Sequence, residues 1–253
     1  MKNLEENPLK ELIPDGGFTA IFRTMAVIGD SLSSGEHTGF DGKTTTYNDY
    51  YEYSWGQYIA RKNGLTAYNF SRGGMTARWY IKCFAAENGF WDKEKSCQAY
   101  VFALGANDVI CQNMKIGDVN DITATELTDD SPFISYYAEI VRRYKKISPD
   151  AKFFFVTLPN EGEKADKTKF KGMASAMYAL TEHFDNSYVI DLYKYGPVFD
   201  EEFKKKYFLH GHMNPMGYIF IANLIDSYID YIIRTNPDDF KNVGFIGTDI
   251  QYK

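Results

Sequence analysis

Five short apolar runs, separated by segments with the spacing of amphipathic helices, limit the fold of this chain more than any other feature. The predicted strands are Met25–Gly29, Ala67–Ser71, Ala99–Gly105, Lys152–Leu158 and Tyr188–Leu192. Because the apolar residues are continuous rather than alternating, we expect helices to cover both faces of these strands. Strands that alternate with helices form parallel βαβ units, so the sequence predicts an α/β fold with about five parallel strands.

Apolar stripes at helical spacing predict the intervening helices, and the clearest stripe runs from Tyr218 to Ile232 after a proline that suits a first helical turn. Three segments interrupt the alternation. We predict an N-terminal extension over residues 1–24, a rim or lid over residues 110–131, and a C-terminal tail over residues 236–253. None has the character of a separate domain, so we expect one domain over residues 1–253.

Composition excludes several classes of protein. The chain has 253 residues, of which 44 % are hydrophobic, and a net charge of −6. The acidic balance argues against nucleic acid as a partner, and the absence of 18–20 consecutive apolar residues argues against a membrane partner. The first eight residues contain no signal-peptide run and the three cysteines form no C-x-x-C pair, so we expect a cytoplasmic protein unless a leader was removed. The oligomeric state stays open.

Polar and glycine residues follow the first three predicted strands. Strand one runs into Gly-Asp-Ser-Leu-Ser-Ser-Gly, in which Ser31 could be a nucleophile, a helix cap or part of a phosphate cradle. Strand two leads to Gly73-Gly74, where a backbone N–H can approach a ligand closely. Strand three leads to Gly-Ala-Asn-Asp, in which the Asn107 carboxamide could donate to an oxyanion. In the strand order 2-1-3-4-5, these groups would meet in one crevice.

A fourth motif, His-Gly-His-Met-Asn-Pro-Met-Gly, opens the last predicted helix. A neutral imidazole is the natural base for a serine hydroxyl, and His212 is our candidate. The His-x-His pair could instead bind a metal, but no cluster supplies further ligands, so we predict neither metal nor cofactor.

These four blocks, in this order, resemble the SGNH hydrolases, also called GDSL esterases or lipases, from Met25 to about Ile233. The resemblance implies a three-layer α/β/α, flavodoxin-like fold and a serine esterase. It implies that Ser31 is the nucleophile and His212 the general base. The N–H groups of Ser31 and Gly74 and the side chain of Asn107 would form the oxyanion hole.

The chain departs from the family at one position. The family usually has Asp three residues before the catalytic histidine, where this chain has Leu209. Either Ser31 and His212 act as a dyad with a backbone carbonyl at Nδ1, which we favour, or a carboxylate comes from elsewhere. The carboxylates nearest in sequence are Asp191, Asp200, Glu201 and Glu202.

The expected substrate is a small-molecule or oligosaccharide ester, and an O-acetyl or other short acyl group on a carbohydrate is the first choice. Aromatic residues make up 17 % of the chain, and Trp55, Trp79 and Trp91 could stack on sugars or pack in the core. A lysophospholipase or thioesterase acting on lipid acyl chains is the alternative substrate class. A flavin- or phosphate-binding protein of this architecture and a non-catalytic ligand-binding relative are the alternatives from other classes.

Overall fold

A computed structural model describes residues 7–163 and 166–251 of the chain. Its central sheet contains β1 (Thr24–Gly29), β4 (Thr66–Asn69), β5 (Ala99–Ala103), β6 (Lys152–Val156) and β7 (Ser187–Ile190). All neighbouring strands are parallel, and their order is β4-β1-β5-β6-β7. Numbered among themselves, these strands follow the predicted order 2-1-3-4-5, so the predicted sheet is confirmed.

Helices cover both faces of the sheet. They are α1 (Ser31–Ser34), α2 (Trp55–Asn63), α3 (Ala77–Trp79), α4 (Ala85–Glu87), α5 (Phe133–Ile147), α6 (Lys167–His183), α7 (Leu192–Tyr195), α8 (Glu201–Tyr207), α9 (Pro215–Thr235) and α10 (Pro237–Phe240). Shorter 3-10 helices span Gly17–Ile21, Tyr51–Tyr53, Lys93–Lys95, Val119–Thr123 and Val243–Phe245, and π-helical turns span Tyr80–Phe84 and Ala106–Cys111.

The alternating side chains of β1 show how the three layers form. Ala26 and Ile28 are buried with residues of α3, α5 and α6, whereas Met25 and Val27 are buried with residues of α2 and α9. Successive side chains of a strand point to opposite faces of the sheet, so a continuous apolar run supplies both cores. The three-layer α/β/α architecture predicted from these runs is confirmed.

Two short antiparallel hairpins were not predicted. The first pairs β2 (Glu36–Phe40) with β3 (Thr45–Asp49), directly after α1. The second pairs β8 (Phe208–Leu209) with β9 (His212–Met213). Both lie beside the carboxyl ends of the central strands, and β2 packs against β8 and β9.

The described parts of the three interrupting segments pack against the central fold. Residues 1–6 and 252–253 of the predicted extension and tail lie outside the described residues. In the tail, Phe240 is buried against Phe22 and Phe154. The predicted rim over residues 110–131 is anchored on α5, since Arg142 donates to the backbone carbonyls of Ile122 and Ala124.

Within the described residues, α9 has the length and apolar composition of a membrane span, and 78 % of that stretch is buried inside the fold. It packs on one face of the central sheet through residues such as Ile221, Ile225 and Ile229. Burial on this scale is what a core helix of a globular domain requires.

Candidate active site

Ser31 is the first residue of α1, immediately after β1. The helix begins there because the carboxylate of Asp30 accepts a hydrogen bond from the N–H of Leu32 at 3.1 Å, as a helix N-cap does. Ser31 is partly exposed, whereas the next two serines, Ser33 and Ser34, are buried. The sharp turn from strand to helix therefore leaves Ser31 the most accessible of these serines at the sheet edge where a ligand can enter.

Ser31, Asn107 and His212 line one cavity of about 380 Å³ at the carboxyl ends of the parallel strands. His210 and Cys111 line it as well. The predicted convergence of hydroxyl, carboxamide and imidazole groups is therefore found at the expected edge of the sheet. Together these groups have the chemistry of nucleophilic acyl transfer, in which a base activates a hydroxyl and nearby donors stabilise an oxyanion.

Asn107 connects the loop after β5 to the loop after β4. It lies in the π-helical turn after β5, and its Nδ2 donates to the carbonyl of Met75 at 3.1 Å. The adjacent Asp108 is fully buried and accepts from the N–H of Ala77 with both oxygens, at 3.0 and 3.1 Å. The two contacts fix the loop after β4 against the loop after β5, which sets the position of the carboxamide.

Gly74 has a φ of +71°, a conformation that favours glycine. It is exposed, and it is not one of the described residues that line the cavity. It lies directly before Met75, the residue that accepts from Asn107. Its placement as an oxyanion donor therefore stays a prediction.

His212 lies in β9, and both of its ring nitrogens contact side chains of β2. Nε2 is 3.0 Å from Oε1 of Glu36, and Nδ1 is 2.7 Å from Oγ1 of Thr38. The ring of Tyr47, on β3, meets the imidazole edge to face at 5.8 Å between centroids. Burial lowers the pKa of His212, so the ring is neutral at pH 7 and can accept a proton.

The position at which the resemblance leads us to expect an acid is structurally close to His212. Leu209 pairs directly with His212 across the β8–β9 hairpin, but its side chain is 48 % exposed and offers no acceptor. The backbone carbonyl favoured from the sequence is not the contact found at Nδ1, which faces the Thr38 hydroxyl instead.

The four carboxylates nearest in sequence lie in other surroundings. Asp191 is buried and accepts from Tyr178 and Lys194, and Asp200 caps α8 through the N–H of Phe203. Glu201 and Glu202 are exposed on α8. The carboxylate that meets the imidazole is Glu36.

Glu36 and Thr38 were missed by the sequence analysis. The sequence did contain an indication of the β2–β3 hairpin, because Asp-Gly, here Asp41-Gly42, is common in hairpin turns. In a strand before that turn, residues 36 and 38 would share one face. The flanking residues are polar, however, so the segment lacked the apolar alternation by which strands are usually predicted. Among residues 7–163 and 166–251, no group of three or more His, Cys, Asp or Glu residues could hold a metal ion.

Residues 27–219 match the GDSL-like Lipase/Acylhydrolase family. The chain belongs to this family. No protein with a curated description matches the chain in sequence.

Solved structures share its fold. A family two carbohydrate esterase from Clostridium thermocellum, in complex with cellohexaose, is 16 % identical with a TM-score of 0.61, over 84 % of this chain and 65 % of that one. The psychrotrophic esterase EstA from Pseudoalteromonas sp. is 14 % identical with a TM-score of 0.55, over 84 % and 99 %. The acetyl xylan esterase AlAXEase is 15 % identical with a TM-score of 0.54, over 81 % and 99 %.

Asp30, beneath the predicted nucleophile, gives the first testable prediction. Burial raises its pKa to about 7, so the folded protein binds this proton far more tightly than the unfolded chain, whose carboxyl titrates near ~3.9. Ionisation of Asp30 therefore lowers the free energy of unfolding as the pH rises from 4 to 7, by up to about 1.4 kcal/mol per pH unit. Asp30→Asn, which keeps a capping oxygen, should lose less stability across this range in urea denaturation.

Asp130→Asn is the control, because Asp130 is exposed in the loop before α5. This variant should keep the decline of the unmodified protein between pH 4 and 7. An equal decline in Asp30→Asn would show that Asp30 is not protonated in the folded state.

Proposed function

We propose that the protein is a serine esterase of the GDSL family that forms an acyl-enzyme on Ser31. The single observation that supports this is that Ser31, Asn107 and His212 line one cavity. His212 takes the proton of the Ser31 hydroxyl as Oγ attacks the ester carbonyl. The alcohol leaves with a proton from His212, and water then releases the acid with the same base.

The negative oxygen of the tetrahedral intermediate would accept hydrogen bonds from the N–H groups of Ser31 and Gly74 and from Nδ2 of Asn107. Asn107 Nδ2 has two N–H bonds and uses one for the carbonyl of Met75, which leaves the second for the oxyanion. The contact with Met75 orients the carboxamide before substrate arrives, as electrostatic preorganisation requires.

Exposed aromatic side chains on and next to the β2–β3 hairpin, one of which contacts His212, support a carbohydrate ester as the substrate. Tyr47 is 63 % exposed and contacts the imidazole, and Phe40, Tyr50 and Tyr53 are also exposed on or next to the β2–β3 hairpin. Aromatic faces at the entrance of a site can stack on sugar rings. Of the three tryptophans considered from the sequence, Trp55 is buried and Trp91 packs on Tyr80 and Tyr144. Trp79 is 54 % exposed but lies on α3 and not on the hairpin, so the exposed hairpin aromatics take the place of the tryptophans in this proposal.

The cavity favours a second candidate, an ester with a longer acyl chain. Its wall is largely apolar and includes Val156, Leu158, Phe170, Phe199 and Phe208. A volume of about 380 Å³ is more than an acetyl group needs. An acyl chain from a lipid or thioester could occupy it.

The test compares acetylated oligosaccharides with p-nitrophenyl esters of increasing chain length, by kcat/KM. We expect the acetylated oligosaccharide and the acetate ester to be preferred, and a preference for long chains would instead support the second candidate. Tyr47→Ala should lower the ratio of kcat/KM for the oligosaccharide to that for p-nitrophenyl acetate, whereas Tyr47→Phe, which keeps the ring, should preserve this ratio.

Labelling with a fluorophosphonate tests whether the protein is an enzyme at all. An activated serine hydroxyl forms a covalent adduct with this probe, so we expect stoichiometric modification at Ser31, located by peptide mass spectrometry. Absence of labelling, together with absence of hydrolysis, would favour a non-catalytic ligand-binding relative.

A further inference from the structure

The partners of His212 come from a part of the chain far from the family's usual acid. Glu36 and Thr38 are two residues apart in β2, so both side chains face the same side of the strand and meet the imidazole together. Both are buried, at 8 % and 6 % exposure. Such burial stabilises the two contacts, because water cannot readily compete for the polar groups that form them.

We propose that Glu36 is the positioning carboxylate of His212, taking the role for which the loop before the histidine offers only Leu209. This inference rests on the proposed esterase function. The ionised carboxylate accepts the Nε2 proton, which leaves the lone pair on Nδ1, where the Thr38 hydroxyl donates. When Nδ1 takes the Ser31 proton, the Thr38 hydroxyl gives up its hydrogen bond to that lone pair, and the carboxylate stabilises the resulting imidazolium.

The backbone around Glu36 is shaped for this carboxylate. A Cβ on Gly73 would lie 2.0 Å from Oε2 of Glu36, so the carboxylate occupies the space that any larger residue would need. The φ of Gly73 is not positive, and the absence of a side chain there is explained by this close approach alone. Tyr218, from α9, fixes the backbone at the same point by donating to the Glu36 carbonyl at 2.7 Å.

Other charged groups also face His212 and Glu36. Burial raises the pKa of Glu36, and Asp49, on β3, raises it further. Burial lowers the pKa of His212, which Asp49 opposes and His37, on β2, reinforces. Asp30 carries a further carboxyl near Glu36. A test must therefore separate contact with Glu36 from the general effect of nearby negative charge.

Glu36→Gln should lower the pH-independent value of kcat by at least ~10-fold and up to the ~10⁴-fold cost of a wrong imidazole tautomer. The amide lacks the charge that favours the imidazolium, so the acid limb of kcat/KM should also move to lower pH. Asp49→Asn is the matched control, since it removes a nearby charge without touching the ring. It should move the acid limb in the same direction and leave the kcat plateau close to that of the unmodified enzyme.

A double-mutant cycle with Gly73→Ala tests the contact itself. The added methyl group should displace the Glu36 carboxylate and lower kcat, with little loss of thermal stability because the displaced atoms end a flexible side chain. In the Glu36→Ala background there is no carboxylate to displace, so Gly73→Ala should have no further effect on kcat. Equal effects of Gly73→Ala in both backgrounds would overturn the proposal.

The pKa of His212, measured by NMR in the unmodified protein and in Glu36→Gln, needs no turnover. A lower pKa in the variant together with the lower kcat is the expected result. An unchanged pKa or an unchanged kcat plateau would overturn the role of Glu36 and leave the esterase function standing. Hydrolysis that persists in Ser31→Ala would overturn the acyl-enzyme on Ser31 first, and the positioning role of Glu36 with it.

Discussion

Ser31→Ala should abolish turnover of p-nitrophenyl acetate, with kcat reduced by about 10⁴-fold or more, because the only hydroxyl proposed to attack the carbonyl is removed. The fold should be preserved, since Ser31 is partly exposed and the helix cap is supplied by Asp30. Initial rates at saturating ester, with circular dichroism as the check on folding, measure the effect.

Ser33→Ala is the matched control for this prediction. Ser33 lies two residues further along the same short helix and is buried, and its hydroxyl is packed close to Gly29. We expect this variant to keep most of its activity. An equal loss in both variants would mean that the loop tolerates no change, and full activity in Ser31→Ala would exclude Ser31 as the nucleophile.

His212→Ala should cause a loss of kcat comparable to that of Ser31→Ala, because a serine hydroxyl with no base is a poor nucleophile at pH 7. The double variant Ser31→Ala/His212→Ala should be little slower than either single variant, since residues that act as one unit do not contribute additively. Single-turnover rates of all three variants, compared with the uncatalysed hydrolysis, measure this prediction.

His210 provides the control for His212, because it lines the same cavity and lies in the turn of the same hairpin. Its φ is +56°, which asparagine tolerates better than most residues, so His210→Asn changes the imidazole with little backbone strain. This variant should retain activity. If His210→Asn proved as slow as His212→Ala, the base would have to be reassigned.

Much of the fold followed from the sequence because buried parallel strands leave a strong pattern. The strands β6 (Lys152–Val156) and β5 (Ala99–Ala103) pack against a hydrophobic core on each face of the sheet, so almost every position is apolar. The β2–β3 hairpin leaves no such pattern, since β3 is largely exposed and both strands are polar. Two-residue strands such as those around His210 are too short to show any periodicity.

Ser31 and Asn107 could be brought together from the sequence alone because two general rules place them, whereas His212 was added by the resemblance to the SGNH hydrolases. The carboxyl ends of parallel strands meet at one edge of a sheet, and the strand order places β1 beside β5. The motifs after these strands therefore had to be neighbours wherever the sheet formed. The sequence by itself also showed that position 209 holds no acid.

Only the tertiary structure decided what holds the imidazole. Thr38 lies 174 residues from His212 along the chain, and it reaches Nδ1 because the first hairpin folds back onto the second. The contact between Glu36 and His212 depends on the direction of the backbone in β2, on the missing side chain at Gly73 and on the burial of Glu36. No local pattern encodes these, because each arises when distant segments pack together and exclude water from the same polar groups.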